Sequence, residues 1–209
     1  MQALACINDS AVLASAPMEL RDKILKAATE LYAETGFRGA TTRHIAQKAG
    51  VNEVTIFRHF GSKTALLHEA IRCACQTPVS DSLPEVPLDP RAELLRWAGD
   101  HWRDLWTRRS VIRTAMGEIE EHPELLPREN SPSACAGRAL RAYLERLQSA
   151  GLAQAPFSTS AAMMTLMGTL FADAMSRDIM AFSYPLEPEA AISEYVDLFV
   201  RAIGAGTDQ

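Results

Sequence analysis

The sequence predicts an all-α protein of about nine helices, and three observations lead to this fold class. Apolar residues recur at spacings of three and four along most of the 209 residues. No stretch shows the alternating apolar and polar pattern of a half-buried strand. Glycines, prolines and small polar residues lie between the periodic stretches, where helix caps and turns require them.

The first four predicted helices are separated by clear start and stop signals. A stripe from Leu20 to Leu31 predicts the first helix, and Gly36 is placed to end it in a left-handed conformation. A second, short helix stops at Gly50. Asn52 is a favourable N-cap for a third helix, and Ser62 for a fourth.

Five further helices are predicted after a proline-rich linker at residues 76–90. The pair Asp89-Pro90 opens the first of them, with a cap followed by proline in the first turn. A separate helix is expected around residues 112–119, and the next helix ends at Gly151. A long helix over about 158–181 and a last helix over about 189–203 complete the chain.

Composition and charge restrict the functions that the protein can have. Hydrophobic residues make up 47% and charged residues 22% of the chain, as in ordinary globular proteins. No apolar run reaches the roughly 18 residues of a membrane span. The net charge is −5, yet residues 18–72 carry +3 and the remainder −8. This asymmetry indicates a basic module that faces a polyanion, joined to an acidic body, unless the charges are scattered by chance.

The second and third helices have the residue types of a helix-turn-helix. Ala46 is small where the helices must cross, and Gly50 suits a turn that requires positive φ. Val51 seals the turn, and Ile56 is placed to enter the core. An ordinary helical hairpin is the alternative interpretation.

The stretch from Thr41 to Lys63, TTRHIAQKAGVNEVTIFRHFGSK, resembles the tetracycline-repressor (TetR) family of bacterial regulators, and the likeness extends over Arg21 to Arg72. The resemblance implies a nine-helix dimer whose second and third helices bind operator DNA. It also implies a C-terminal body that binds a small molecule and releases the DNA. We therefore predict a loose tail at 1–17, a helix-turn-helix domain at 18–64, and a ligand-binding and dimerisation domain at 65–209.

Eleven residues are expected at the DNA. Thr42 begins a helix, so its hydroxyl can hold a phosphate. Asn52 or Thr55 can hydrogen-bond base edges from the start of the third helix, where Glu53 can accept from cytosine and Val54 can touch a thymine methyl group. Arg58 and His59 suit phosphates, with guanine as the alternative for Arg58. The full set is Thr41, Thr42, Arg43, Asn52, Glu53, Val54, Thr55, Phe57, Arg58, His59 and Lys63.

Some of these assignments have alternatives. The resemblance implies that Lys63 contacts a phosphate. It also implies a tyrosine at position 57, where this chain has Phe57 and lacks the phosphate-binding hydroxyl. Core packing is the alternative for Phe57 and Phe60. Thr41 and Lys48 can equally be solvated surface.

An aromatic cluster predicts the ligand site. Trp97, Trp102 and Trp106 lie close together on one helix, and such side chains can line a pocket for an apolar or aromatic molecule. Simple core packing is the alternative for each residue. Arg113 can pair with an acidic ligand or with the Glu118–Glu121 run. The expected ligand-binding residues are Trp97, His101, Trp102, Arg113, Met116, Met167 and Phe171.

The last two helices predict a homodimer, because the apolar residues of a terminal helix pair can be buried against a second copy. The last helix has a stripe formed by Ile192, Tyr195, Val196, Phe199 and Ile203. Complete burial within one chain is the alternative.

An enzyme is not expected. Cys73 and Cys75 point about 200° apart on a helix, and no His, Asp or Glu pair has the spacing of a metal motif. No glycine-rich phosphate loop or nucleophile elbow occurs. We predict neither metal nor cofactor. The expected protein is a cytoplasmic, nucleoid-associated repressor that binds double-stranded DNA and a small effector. The alternative is a helical ligand-binding or scaffolding protein without DNA binding.

Overall fold

The computed structural model describes residues 19–74, 83–123 and 131–205. These residues form eight α-helices and one short 3₁₀ turn, Ala181–Ser183, without a strand, as the all-α prediction requires. The tail at 1–17, Cys75 and much of the linker lie outside the described residues. The helices are α1 (Leu20–Gly39), α2 (Thr42–Ala49), α3 (Glu53–Phe60), α4 (Lys63–Ala74), α5 (Pro90–Gly117), α6 (Pro132–Ser149), α7 (Thr159–Ser176) and α8 (Pro188–Ala202).

The predicted helix caps are confirmed. The Asn52 side chain accepts from the N–H of Val54 at 3.0 Å, and the Ser62 hydroxyl accepts from the N–H of Ala65 at 3.0 Å. The Asp89 carboxylate caps α5 by accepting from a backbone N–H at 3.0 Å. Gly36 has the expected positive φ of 69°, and α1 bends there before its last residues.

Two helices that the sequence separates are one helix in the structure. We expected a break before the stretch at 112–119, but α5 continues from Pro90 to Gly117. Thr107-Arg108-Arg109-Ser110 joins the two periodic stretches and contains neither glycine nor proline, so nothing stops the helix. A 28-residue helix is roughly 42 Å long and can reach both halves of the molecule.

The buried side chains form two cores. The first contains residues of α1 to α4 together with Val111 from the C-terminal part of α5. The second contains residues of α5 to α8, among them Trp97 and Trp102. The α4 residues Leu66 and Leu67 belong to the first core, which favours a domain limit after α4 rather than at 64/65. Along the described chain, no helix is long and apolar enough to cross a membrane.

Candidate nucleic-acid interface

The turn between α2 and α3 has the geometry of a helix-turn-helix. Gly50 is left-handed, with φ 68° and ψ 35°, and the N–H of Val51 donates to the carbonyl of Ala46 at 3.0 Å. A Cβ at Gly50 would meet no atom within 4 Å, so the glycine is required by its backbone conformation and not by space. Ala46 and Ile56 are buried, as predicted, and hold the two helices together.

One face of α3 is left exposed. Val54 is 72% exposed and Phe57 47% exposed, and Arg58 and His59 are also on the surface. Phe60 is buried, which confirms core packing for that residue. Core packing for Phe57 is wrong, because about half of this side chain is exposed to solvent. The N-terminus and outer face of α3 therefore present both apolar and cationic groups to a ligand.

Four of the expected DNA contacts, at the beginnings of α2 and α3, already have hydrogen-bond partners in the protein. The Asn52 side-chain oxygen caps α3, and the Thr41 hydroxyl caps α2 by accepting from the N–H of His44 at 3.3 Å. The Thr42 hydroxyl donates to Oε1 of Glu53 and so links the beginnings of α2 and α3. Thr42 and Glu53 thus form one polar unit, which the sequence did not reveal.

The cations of this domain fall into two groups. Arg43 and Arg58 are exposed and form no ion pair with the described residues. By contrast, Lys48 lies 3.1 Å from a carboxylate oxygen of Glu30 and 3.3 Å from one of Glu34. Lys48 therefore ties α2 to α1, which favours the structural interpretation of this residue.

Lys63 occupies an intermediate position. Its ammonium donates to the carbonyl oxygen of Arg38 at 3.2 Å and lies 5.1 Å from the ring centroid of Phe37. Burial lowers the pKa of Lys63, and the nearby carboxylate of Glu118 offsets only part of this decrease. The side chain is half-buried, so its cationic end is held at the edge of the domain.

The sequence model of the bacterial regulatory proteins of the tetR family matches residues 24–70, which contain the whole helix-turn-helix. The N-terminal domain of the chain therefore belongs to the TetR family. Members are DNA-binding transcriptional regulators, generally repressors, and they are not enzymes. The prediction of a non-enzymatic transcriptional regulator is therefore confirmed at this level.

Curated relatives that are named as transcriptional regulators or repressors resemble this chain over part of its length. The chain is 28% identical over 132 residues to the uncharacterized HTH-type transcriptional regulator YvkB of Bacillus subtilis, covering 63% of this chain and 69% of the relative. It is 47% identical over 47 residues to the class D tetracycline repressor protein of Escherichia coli. That alignment spans only 22% of either chain.

Solved structures resemble the chain over most of its length. A TetR transcriptional regulator from Agrobacterium tumefaciens has a TM-score of 0.70 at 19% identity, covering 87% of this chain and 92% of that one. The fatty acid degradation regulator FadR from Bacillus halodurans also has a TM-score of 0.70, at 21% identity, with coverages of 92% and 100%. At these identities the likeness shows that the TetR fold extends through the body, and nothing more.

The aromatic cluster of the body is tightly packed. Trp97, His101 and Trp102 are buried. The Trp97 and His101 rings stack with centroids 5.0 Å apart, and Trp102 stacks on Trp106 at 5.2 Å. Met167 and Phe171 are partly buried against the same core. The structure thus brings five predicted ligand-binding residues into or beside one core.

Two predicted ligand-binding residues lie elsewhere. Met116 is 52% exposed, because the end of α5 turns its buried face toward the N-terminal core. Arg113 pairs with Asp178 and also donates to the carbonyl of Met175 at 2.9 Å. The expected pairing of Arg113 with the Glu118–Glu121 run is wrong, since these glutamates follow the end of α5 while Arg113 faces α7.

A buried carboxylate in this body was missed by the sequence analysis. Asp173 on α7 accepts hydrogen bonds from the Trp102 indole at 2.7 Å, the Tyr195 hydroxyl at 2.8 Å, and the Arg177 guanidinium at 2.6 and 2.9 Å. Burial raises the pKa of Asp173, but these donors outweigh it and hold the pKa below its ordinary value. The sequence signal that could have revealed it is an acidic residue within a largely apolar helix.

The burial of His101 predicts that the free energy of unfolding decreases in acid. Burial, assisted by the charge of Arg108, lowers the pKa of His101 from 6.5 to about 4, and its Nδ1 has no hydrogen-bond partner among the described residues. Between about pH 6.5 and pH 4 the unfolded chain therefore binds a proton that the folded chain does not, and stability falls as the pH decreases. We expect His101→Phe to remove roughly 3 kcal/mol of this pH dependence while keeping ring stacking on Trp97.

Urea unfolding at pH 7 and pH 4.5 measures the effect. His44→Phe, a matched change at an exposed histidine, is expected to retain the wild-type dependence. An unchanged pH dependence in His101→Phe would show that folding does not lower the pKa of His101.

Proposed function

We propose that this chain is a ligand-responsive repressor that binds a palindromic operator as a homodimer and leaves it when a small apolar or aromatic molecule occupies the body. The observation that carries the DNA-binding part is the exposed face of α3, which includes Arg58, together with Arg43 on α2. Neither cation forms an ion pair with the residues that the structure describes. An exposed recognition helix can enter a major groove, and unpaired guanidinium groups can replace the counterions of the phosphates.

Selection of bound duplexes from a random DNA pool tests this proposal. We expect an inverted repeat whose half-sites lie about one helical turn, or roughly 34 Å, apart, because two α3 helices must reach the same side of the duplex. The affinity for the selected duplex is then measured in a salt series. Failure to enrich any sequence would favour the alternative, a helical ligand-binding or scaffolding protein.

The Lys63 phosphate contact predicts a specific salt effect. We expect Lys63→Ala to weaken binding to selected and unrelated duplexes by similar factors and to lower the slope of log affinity against log salt by about one. Arg96→Ala is the control, since Arg96 is an exposed cation on α5 outside the DNA-binding domain. Equal slopes for wild type and Lys63→Ala would exclude the phosphate contact.

The pair formed by Thr42 and Glu53 predicts base readout. One carboxylate oxygen of Glu53 accepts from Thr42, and the other remains available to a cytosine amino group. We expect Glu53→Gln to change the preference at one position of each half-site toward adenine and to cost about 1–3 kcal/mol on the original duplex. Thr42→Ser keeps the hydroxyl donor and serves as the control. Unaltered base preference in Glu53→Gln would mean that Glu53 has a purely structural role.

The effector site is proposed between α5, α6 and α7. The sulfurs of Met163 and Met167 lie 3.2 and 3.3 Å from the position of a Cβ on Gly137, so flexible side chains fill the space that this glycine leaves. Methionines can move aside for an apolar molecule, whereas the stacked tryptophans provide a rigid wall. A compound that occupies this space must both raise the unfolding temperature and release the selected duplex.

A further inference from the structure

The end of α5 is attached to the end of α1 by a hydrogen bond between residues distant in sequence. Oε1 of Glu118 accepts from the backbone N–H of Phe37 at 2.7 Å. The preceding residue, Gly36, has a φ of 69°, and a Cβ there would lie 2.7 Å from the same Oε1. Glycine is therefore required at position 36 by its backbone conformation, and the lack of a Cβ leaves room for the Glu118 carboxylate to reach the backbone.

The Phe37–Arg38 segment also contacts the DNA-binding side of the molecule. The Phe37 ring stacks on His122, with centroids 4.1 Å apart, and its face lies 5.1 Å from the Lys63 ammonium. Lys63 donates to the Arg38 carbonyl at 3.2 Å. Glu118 and His122, which follow α5, thus contact the Phe37–Arg38 segment, and the same segment holds the Lys63 ammonium.

We propose that Glu118 is a positioning residue for Lys63 and that it connects the body to a DNA-contacting side chain through α1. An ammonium has three donors, and the Arg38 carbonyl uses one of them, so two remain for a phosphate. Holding Phe37 and Arg38 in place fixes the ammonium before DNA arrives. This inference rests on the proposed phosphate contact of Lys63.

The route has a regulatory consequence. α5 runs without interruption from the tryptophan cluster to its C-terminal end, where Glu118 contacts Phe37 of α1. It packs more extensively on α1 than on α4. A displacement of α5 in the body therefore acts on Phe37, and through Phe37 on Lys63. The packing of α5 on α4, which begins at Lys63, is a second and less extensive route.

A double-mutant cycle on the duplex selected by the wild-type protein tests the inference. We expect Glu118→Ala to weaken binding about tenfold, the size of one hydrogen bond to a charged group, and to weaken it less than twofold when Lys63 is already alanine. Glu118→Gln keeps an acceptor oxygen for the Phe37 N–H and should retain most of the affinity. Glu120→Ala removes the same charge from an exposed neighbour and controls for long-range electrostatics.

Several results would overturn the inference. Glu118→Ala would weaken binding by the same factor in the wild-type protein and in the Lys63→Ala variant, or it would not weaken binding at all. A tenfold loss of affinity for Glu120→Ala would also overturn it. Amide hydrogen exchange of wild-type Phe37 provides a test that needs no variant: protection must persist when the duplex is added, and its loss would contradict the inference. If the wild-type protein selects no duplex, the proposed function itself fails, which is a distinct outcome.

Discussion

Asp173→Ala is expected to lower the free energy of unfolding by roughly 3–5 kcal/mol, because it leaves a buried guanidinium without its partner. Asp173 is 1% exposed, and its ion-paired partner Arg177 is only slightly more accessible. The indole N–H of Trp102 and the hydroxyl of Tyr195 lose their acceptor in the same substitution. Urea unfolding followed by circular dichroism measures the change.

The control for this prediction is Asp100→Ala. Asp100 pairs with Arg103 at 2.7 Å on the surface of α5, where one ion pair contributes at most about 1 kcal/mol. Comparable losses for Asp173→Ala and Asp100→Ala would show that the buried network adds no stability. Because the folded pKa of Asp173 is depressed, its contribution is present at neutral pH and is lost as the pH falls through that pKa. Asp173→Asn should lack this component.

The hydrogen bonds of Asp173 also affect how a Trp102→Ala variant can be interpreted. If Trp102 only lined the effector pocket, Trp102→Ala would keep operator affinity and lose only the ligand response. Trp102 is buried and donates to Asp173, so the substitution removes core volume and a hydrogen bond together. Loss of stability therefore precedes any effect on a ligand, and the place of Trp102 in a pocket stays a prediction.

Local signals in the sequence were sufficient for most of the fold. Asn52, Ser62 and Asp89 cap helices because a side-chain oxygen reaches an N–H two or three residues ahead, within one turn. Gly50 marks its turn because few other residues adopt its backbone conformation. These relations depend on neighbours in sequence, so a pattern reveals them.

Contacts between distant residues could not be predicted in this way. Trp102 and Asp173 are 71 residues apart, and Phe37 and Glu118 are 81 residues apart. No spacing rule relates such pairs, since only the packing of α5 against α7 and α1 brings them together. The direction in which a helix face points has the same origin, which explains the exposed position of Met116.

The dimer surface illustrates this limit. The stripe of α8 that we assigned to a second copy is buried in its own subunit, where Val196 and Phe199 join the core of the body. That residue assignment is wrong, although the two helices remain our proposed interface. The surface that α7 and α8 leave uncovered follows other helical stripes. Exposed residues on it are Ala161, Met164, Thr165, Gly168 and Ala172 on α7, and Glu194, Leu198, Arg201 and Ala202 on α8.

Leu198→Glu is expected to convert the dimer to a monomer and to weaken operator binding by a factor on the order of 10²–10⁴. Leu198 is 58% exposed on one subunit, and the small residues along α7 allow a second pair of helices to approach closely. A carboxylate that is buried at that contact loses its hydration, and this cost opposes association. The affinity for the operator falls because two monomers must then bind the two half-sites independently. In a dimer, binding of one subunit keeps the other close to its half-site.

Light scattering and a titration of the selected duplex measure both effects. Leu88→Glu is the matched control, since Leu88 is 84% exposed and precedes α5, away from the α7 and α8 surface. Phe199→Glu should instead unfold the subunit, because Phe199 is 7% exposed within one chain. A Leu198→Glu protein that keeps the wild-type mass and affinity would place the interface elsewhere. A folded Phe199→Glu monomer would contradict the burial of that stripe.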